Sequence, residues 1–257
     1  MKKVVITGST DGLGLMIATA LIKQGHQVVL HARNHEKATR LKAKLPNAWD
    51  VVVGDLSSFE ATTSVADQVN KLGHMDSVIH NAGVGYRESR LIKTKEGLPH
   101  VFAINSLAPY VLTCLIQPPE RLIYTSSGLH NQGEPDLSDV KWQKRAWEGF
   151  QAYSDSTLHN ILLAFGVARH WPNVYANALE PGWVATKMGG SSAPDSLTDA
   201  PKTQEWLAVS DDAQAKVSGK YFYHKALKSH LRAADDPQLQ DAYLALCGEI
   251  SGVRLPK

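Results

Sequence analysis

The stretch Val4-Val5-Ile6-Thr7-Gly8-Ser9-Thr10-Asp11-Gly12-Leu13-Gly14-Leu15-Met16-Ile17-Ala18-Thr19-Ala20-Leu21-Ile22-Lys23-Gln24-Gly25 decides the fold. Val4 to Thr7 is a short β-branched run. Leu13, Ile17, Leu21 and Ile22 then recur at helical spacing until Gly25 stops the helix. Between them Gly8 allows a tight turn, while Gly12 and Gly14 remove side chains where a backbone must meet a pyrophosphate and a neighbouring strand. A helix amino terminus placed there offers free N–H groups and the positive end of its dipole to phosphate. Thr7, Gly8, Ser9, Thr10, Asp11, Gly12, Leu13 and Gly14 are therefore expected to hold a dinucleotide.

Outward from this unit the same alternation repeats. Strands are expected at Gln27 to His31, Val51 to Val53, Ser77 to His80, Arg121 to Ser126 and Val174 to Leu179, with a last one around Tyr221-Phe222-Tyr223. Helices are expected at Glu36 to Leu45, from a cap at Ser57 or Ser58 to Leu72, around Val101 to Ile116, and from Tyr153 to Trp171 before Pro172. Strands alternating with helices imply right-handed βαβ units. The expected fold is α/β, a single Rossmann-type doubly wound parallel sheet with helices on both faces, formed by residues 1–257 as one domain. The least regular stretches, about 128–150 and 187–215, follow strand carboxyl ends, where such sheets bind ligands.

The chain's 257 residues suit one large domain, and 43% hydrophobic with 20% charged residues leaves material for a sizeable core. Its 27 basic and 25 acidic residues nearly balance, which gives no electrostatic case for nucleic acid or an anionic membrane. Two cysteines, Cys114 and Cys247, make no disulfide framework, and the apolar run after Lys3 stops at Thr7-Gly8, too early for a signal segment. A cytoplasmic protein without a membrane span is expected. No Cys/His/Asp spacing suggests a metal site.

Further motifs lie at the carboxyl ends of later strands: Gly54-Asp55-Leu56, Asn81-Ala82-Gly83 preceded by His80, Ser126-Ser127, and Pro181-Gly182-Trp183-Val184-Ala185-Thr186. Asn105 falls in the long fourth helix and Tyr153 opens the next. In this order, with the T-G-x-x-x-G-x-G loop, they resemble the short-chain dehydrogenase/reductase family. The segment from Asp136 to Trp147 is similar to the retinol-dehydrogenase-like branch, though the linker Gln117-Pro118-Pro119-Glu120 is shorter than usual there. The resemblance implies an oxidoreductase that interconverts a carbonyl and an alcohol by hydride transfer. It implies catalytic roles for Asn105, Ser127 and Tyr153, and cofactor contacts from Asp55, Leu56, Asn81, Ala82, Gly83, Tyr153, Pro181, Gly182, Val184 and Thr186. It also implies a homodimer or homotetramer, with part of the apolar face Leu158, Ile161, Leu162 and Phe165 next to the surface that pairs.

Cofactor choice rests on Val29-Leu30-His31-Ala32-Arg33-Asn34. An acidic residue at the end of this strand would favour NAD through the ribose 2′-OH. Ala32 stands there instead, followed by Arg33, whose planar fork suits a 2′-phosphate and so NADP. Asp11 runs against this choice, since many NADP-preferring relatives carry a basic residue in that loop. The segment from Trp183 to about Val217 is expected to close over a substrate, with Trp183, Met188 and Trp206 suggesting an apolar one.

The departure from the family is Thr157. Four residues after Tyr153 the family has a lysine, which binds the nicotinamide ribose and lowers the tyrosine pKa, and residues so spaced share a helix face. Three explanations stand open: a substitution introduced into an ordinary enzyme, a natural change offset by His130, Lys141 or Lys187, or a protein that keeps NADP(H) binding as a sensor or scaffold without catalysis.

Overall fold

The computed structural model describes residues 1–256. Eight strands form one sheet in the order β3-β2-β1-β4-β5-β6-β7-β8. They are β1 (Lys3–Ile6), β2 (Gln27–Ala32), β3 (Asp50–Val53), β4 (Ser77–His80), β5 (Arg121–Thr125), β6 (Tyr175–Leu179), β7 (Tyr221–Tyr223) and β8 (Ala226–Leu227). β1 to β7 run parallel, and only β8 turns back antiparallel on β7. The doubly wound architecture expected from the alternation is present. β1 pairs on one side with β2 and on the other with β4, so the chain changes winding direction there. The crevice above those strand ends is where sheets of this kind take ligands.

The helices are α1 (Gly12–Lys23), α2 (His35–Lys44), α3 (Phe59–Lys71), α4 (His100–Phe102), α5 (Ala108–Leu115), α6 (Gly149–His170), α7 (Lys202–Val209) and α8 (Pro237–Ser251). Strand periodicity of two divides the core. Val4 and Ile6 face α1 and α7 with Ile17, Leu21 and Leu207, whereas Val5 joins Val69, Leu112, Leu158 and Leu244 on the opposite face. Ser58, not Ser57, caps α3 by accepting from the Ala61 N–H at 3.3 Å. Ser57 instead bonds to Asp55 through both its N–H and its hydroxyl.

Four features differ from the sequence reading. Between α4 and α5 the helix widens into a π turn over Ala103–Leu107, which contains Asn105. α6 begins at Gly149, one turn before Tyr153. The segment 183–217 is not one lid: Trp206 lies in α7, packs edge-on to Phe222 at 5.6 Å and adds to the core beside α1. α7 is tied down from below, since buried Arg121 donates to Leu207 O and Ser210 O, and Ser77 donates to Ala208 O. Finally, α8, which the sequence reading did not place, lies across α6, where a Cβ on Gly166 would stand 3.0 Å from Leu244; Leu158, Ile161, Leu162 and Phe165 are buried between the sheet, its loops and this helix.

Candidate active site

The glycine loop shows why those positions lack side chains. Gly8 has φ +68°, and a Cβ there would lie 2.8 Å from Ala82 Cα. On Gly14 a Cβ would lie 2.4 Å from Gly8 O and 2.5 Å from Asn81 Nδ2. Asp11 caps α1 by accepting from the Gly12 N–H at 2.9 Å. Thr7 and Ser9, expected to touch cofactor, act from behind the loop instead. Thr7 Oγ1 accepts from the N–H groups of Asn81 and Ala82 at 2.9 and 3.0 Å, joining the ends of β1 and β4. Ser9 is fully buried and accepts from the His31 N–H at 3.0 Å.

His31, unremarked in the sequence, holds the other side of the loop. Its Nδ1 accepts from the Gly8 N–H at 3.0 Å and its Nε2 faces Gly54 O at 2.9 Å. A carbonyl only accepts, so the proton sits on Nε2, and burial pushes the pKa down and keeps the ring neutral. The sign of this role is a histidine on a strand otherwise buried and apolar.

A cavity of about 400 Å³ runs along these strand ends. Thr10, Asp11, Gly12, Leu13, Gly8 and Gly14 line its middle, and Asn81, Ala82 and Gly83 its floor. At one end stand Arg33, Lys37, Asp55 and Leu56. Arg33 Nε is 4.0 Å from Asp55 Oδ2, and both side chains are well exposed. Lys37 was missed in the sequence, yet it carried a signal. It is a cation in the first turn of α2, where the helix dipole disfavours positive charge.

Toward the other end lie Asn105, Tyr153, Thr157, Pro181 and Thr186. Asn105 Oδ1 accepts from the Val84 N–H at 2.8 Å, and its Nδ2 donates to Val84 O at 2.9 Å and to Ser156 Oγ at 3.0 Å. Ser156 Oγ in turn donates to Tyr153 O at 2.7 Å, so the π turn, the loop after β4 and α6 are held as one unit. Burial pushes the Tyr153 phenol above its ordinary pKa of 10, and neighbouring Tyr86 pushes the same way. The neighbouring Ser127 hydroxyl pulls it back in part. The two serines differ in their contacts: Ser126 Oγ donates to Thr157 O at 2.8 Å and its residue lines both this cavity and a second one, whereas Ser127 lines the second alone.

That second cavity, about 550 Å³, adjoins the first and shares Tyr153 with it. Gly182, Trp183, Val184 and Asp195 line this space and not the first one, while Met188 lines both. Tyr86 stands edge-on to both Phe150 and Tyr153, at 6.1 and 5.8 Å, and forms an aromatic wall. The opposite wall is polar. Buried Glu180 pairs with Lys228, whose ammonium also lies 4.3 Å over the Tyr223 ring. The segment from Asp136 to Trp147 braces the start of α6. Arg145 stacks 3.8 Å over Trp142 and bonds Asp155 at 2.6 Å, while Trp147 Nε1 donates to Glu88 O at 2.8 Å.

None of the three groups offered as substitutes for a lysine at position 157 reaches Tyr153. His130 is fully buried, its Nδ1 2.7 Å from Ser127 O, with a pKa lowered by burial. Lys141 lines neither cavity. Lys187 reaches the first cavity but is paired to Asp11 across its mouth, which holds the Asp11 carboxyl below its usual range. Among the described residues no cluster of His, Cys, Asp and Glu could hold a metal, and no helix is long and apolar enough to cross a membrane.

Fold and site together define a Rossmann-type α/β protein with a serine–tyrosine pair at its strand ends. Comparison with known proteins gives the family. Residues 2–135 match the short chain dehydrogenase family. A short-chain dehydrogenase of Penicillium rubens is 40% identical over 260 aligned positions, covering 100% of both chains. Mouse retinol dehydrogenase 14 is 30% identical over 261 positions, covering 86% of this chain and 77% of its own. Among solved structures, an uncharacterized protein of Mycobacterium paratuberculosis matches with TM-score 0.83 at 25% identity, covering 100% of this chain and 96% of that one. The chain belongs to the short-chain dehydrogenase/reductase family of oxidoreductases.

Proposed function

We propose that the protein is an NADP(H)-dependent oxidoreductase that interconverts a small carbonyl compound and its alcohol. The observation that carries the reading is Tyr153, which lines both cavities, with Ser127 lining the second beside it. The glycine loop fits the cofactor, because Gly8 and Thr10 to Gly14 line the first cavity at the α1 amino terminus, and Gly12 leaves that wall bare, where a Cβ would meet only Thr186 at 3.9 Å. Thr10 to Gly14 would hold the pyrophosphate at the α1 amino terminus, and Leu56 with Asp55 the adenine. Arg33 and Lys37 favour a 2′-phosphate over a bare hydroxyl. Asn81 to Gly83, Pro181 and Thr186 would hold the nicotinamide end, which when bound supplies or accepts the hydride.

In the reducing direction Ser127 donates a hydrogen bond to the substrate carbonyl oxygen and Tyr153 donates the proton that makes it a hydroxyl. In the oxidising direction Tyr153 must first be a phenolate. Asn105 holds the π turn and the backbone beneath Tyr153. The aromatic wall of Tyr86, Phe150 and Trp183 suits an apolar body, with Glu180, Lys228 and Asp195 facing a polar group at its far side.

A second reading, a non-catalytic NADP(H)-binding sensor, is favoured by one observation: Thr157 places no charge beside Tyr153. NADPH absorbance with a panel of aldehydes, ketones and hydrophobic alcohols separates the two. Turnover lost in Tyr153→Phe supports the enzyme, whereas tight NADPH binding with no turnover on any compound supports the sensor.

A further inference from the structure

We propose that Glu180 selects the substrate, accepting a hydrogen bond from an O–H or N–H group carried next to the carbonyl carbon of a neutral compound with an apolar body. Glu180 follows the last residue of β6, and its N–H donates to Phe222 O at 3.0 Å, which fixes the backbone at the strand end. The residue is only 4% exposed, yet it lines the second cavity. A carboxylate has about four acceptor positions. Glu180 uses one for the Lys228 ammonium, on Oε1, and the Tyr221 phenol stands close to it from outside the cavity. About two positions are left for a donor inside the cavity. The other oxygen, Oε2, lies 2.6 Å from the point a Cβ on Gly128 would occupy, and the missing side chain there leaves it room. Gly128 is the neighbour of Ser127, and both line the same cavity. A donor next to the carbonyl carbon therefore reaches Glu180 while the carbonyl oxygen is on Ser127.

The charged side chains on this cavity decide against the alternatives. They are Glu180, Asp195 and Lys228. Lys228 is already held by Glu180 and by the Tyr223 ring, 4.3 Å from its ammonium. Asp195 Oδ2 accepts from the Trp183 N–H at 2.5 Å. Two carboxylates against one paired ammonium leave the wall negative, so a carboxylate on the substrate is repelled. An ammonium on the substrate would meet Lys228 on the same carboxylate and would have to be desolvated to do so. An ether in place of the donor would leave a buried carboxylate short of a partner, the kind of mismatch that discriminates most strongly. The consequence of this contact for turnover rests on the oxidoreductase reading; its consequence for binding does not.

The test uses the full-length protein and a set of ketones that share one phenyl body: phenacyl alcohol, phenacyl methyl ether and phenylglyoxylate. Binding is read by isothermal titration calorimetry on the protein saturated with NADP+, which has no hydride to give, and kcat/KM by NADPH absorbance. The ether is expected to bind about ten- to a hundredfold more weakly than the alcohol, and phenylglyoxylate more weakly still. Glu180→Gln is expected to narrow the gap between alcohol and ether to about threefold, and to strengthen phenylglyoxylate about tenfold because Lys228 is then free to pair with it. Should that variant not fold, Lys228→Met is expected to keep the gap and to weaken phenylglyoxylate further. Equal binding of alcohol and ether overturns the inference. So does a gap that Glu180→Gln leaves intact, or an alcohol that does not bind. The expected order of binding in a protein that reduces none of the ketones upholds this contact and refutes the catalytic reading instead.

Discussion

Replacing Thr157 by lysine tests the site directly. Thr157 is 4% exposed, so a lysine there must run along α6 into the first cavity. Residues four apart on a helix stand about 6 Å from each other. A unit charge at that distance, in an effective dielectric of about 20, favours the phenolate by about 2.8 kcal/mol, or roughly two pKa units. Desolvation of the ammonium opposes this, so a net fall of about one unit is expected. Oxidation of an alcohol needs the phenolate, so the rising limb of its pH–rate profile should move about one unit to lower pH. The rate at neutral pH should then rise about tenfold. A charge-assisted bond to the ribose, worth about 1.5–3 kcal/mol, should tighten NADPH by roughly ten- to a hundredfold. Loss of the Thr157 hydroxyl bond to Ser154 should cost about 1 kcal/mol of stability, measured by urea unfolding. Steady-state kinetics from pH 6 to 10 and NADPH fluorescence titration read these effects. A folded variant with the parent's affinity, rate and pH profile refutes the reasoning.

Gly14→Ala should destabilise the fold by about 1–3 kcal/mol and weaken NADPH, since its Cβ would meet Gly8 O at 2.4 Å; unfolding and fluorescence titration check both. Arg33→Ala should weaken NADPH about tenfold or more and leave NADH unchanged, so equal loss for both would remove Arg33 from the 2′-phosphate. Burial holds His80 at about 3 and His159 at about 4, from 6.5. Both favour the neutral ring, so their contribution is complete above pH 6.5. It falls by up to about 1.4 kcal/mol per pH unit for each as the pH drops toward those values. His80→Phe, which keeps the stack on Tyr124, should flatten the urea-measured profile between pH 7 and 5. Because α8 lies across α6, sedimentation at micromolar concentration should show a monomer, and a stable dimer would place the pairing surface elsewhere.

Much of the sheet could be read from the sequence because each βαβ unit is punctuated locally. The strands from β1 to β7 fall within a residue or two of their expected positions, since β-branched runs and glycine stops act over short distances. The π turn at Ala103–Leu107 was not readable, because five residues of altered winding leave the apolar period almost unchanged. α8 carried its own signals: Asp236 caps it, Pro237 opens it and Gly252 closes it at φ +72°. Its docking across α6 depends on contacts some 80 residues apart in sequence, which no local pattern records.

The site divides along the same line. Gly8, Gly14, Asn105, Ser127 and Tyr153 announce themselves through motifs, because each is bound to a particular backbone shape or strand end. Glu180 and Lys228 have no motif; they matter only because β6 and β8 bring them to the second cavity. Thr157 is the instructive case. Its backbone carbonyl receives Ser126 and its hydroxyl turns back on Ser154, two contacts of the helix and the strand beside it. The backbone contact is indifferent to the side chain, and the hydroxyl contact is local to one helical turn. The scaffold around Tyr153 can therefore stay fully assembled while the charge that would tune it is missing. That is why the fold and the hydrogen bonds alone do not separate an active from an inactive protein, and why the state of the phenol has to be measured through its proton.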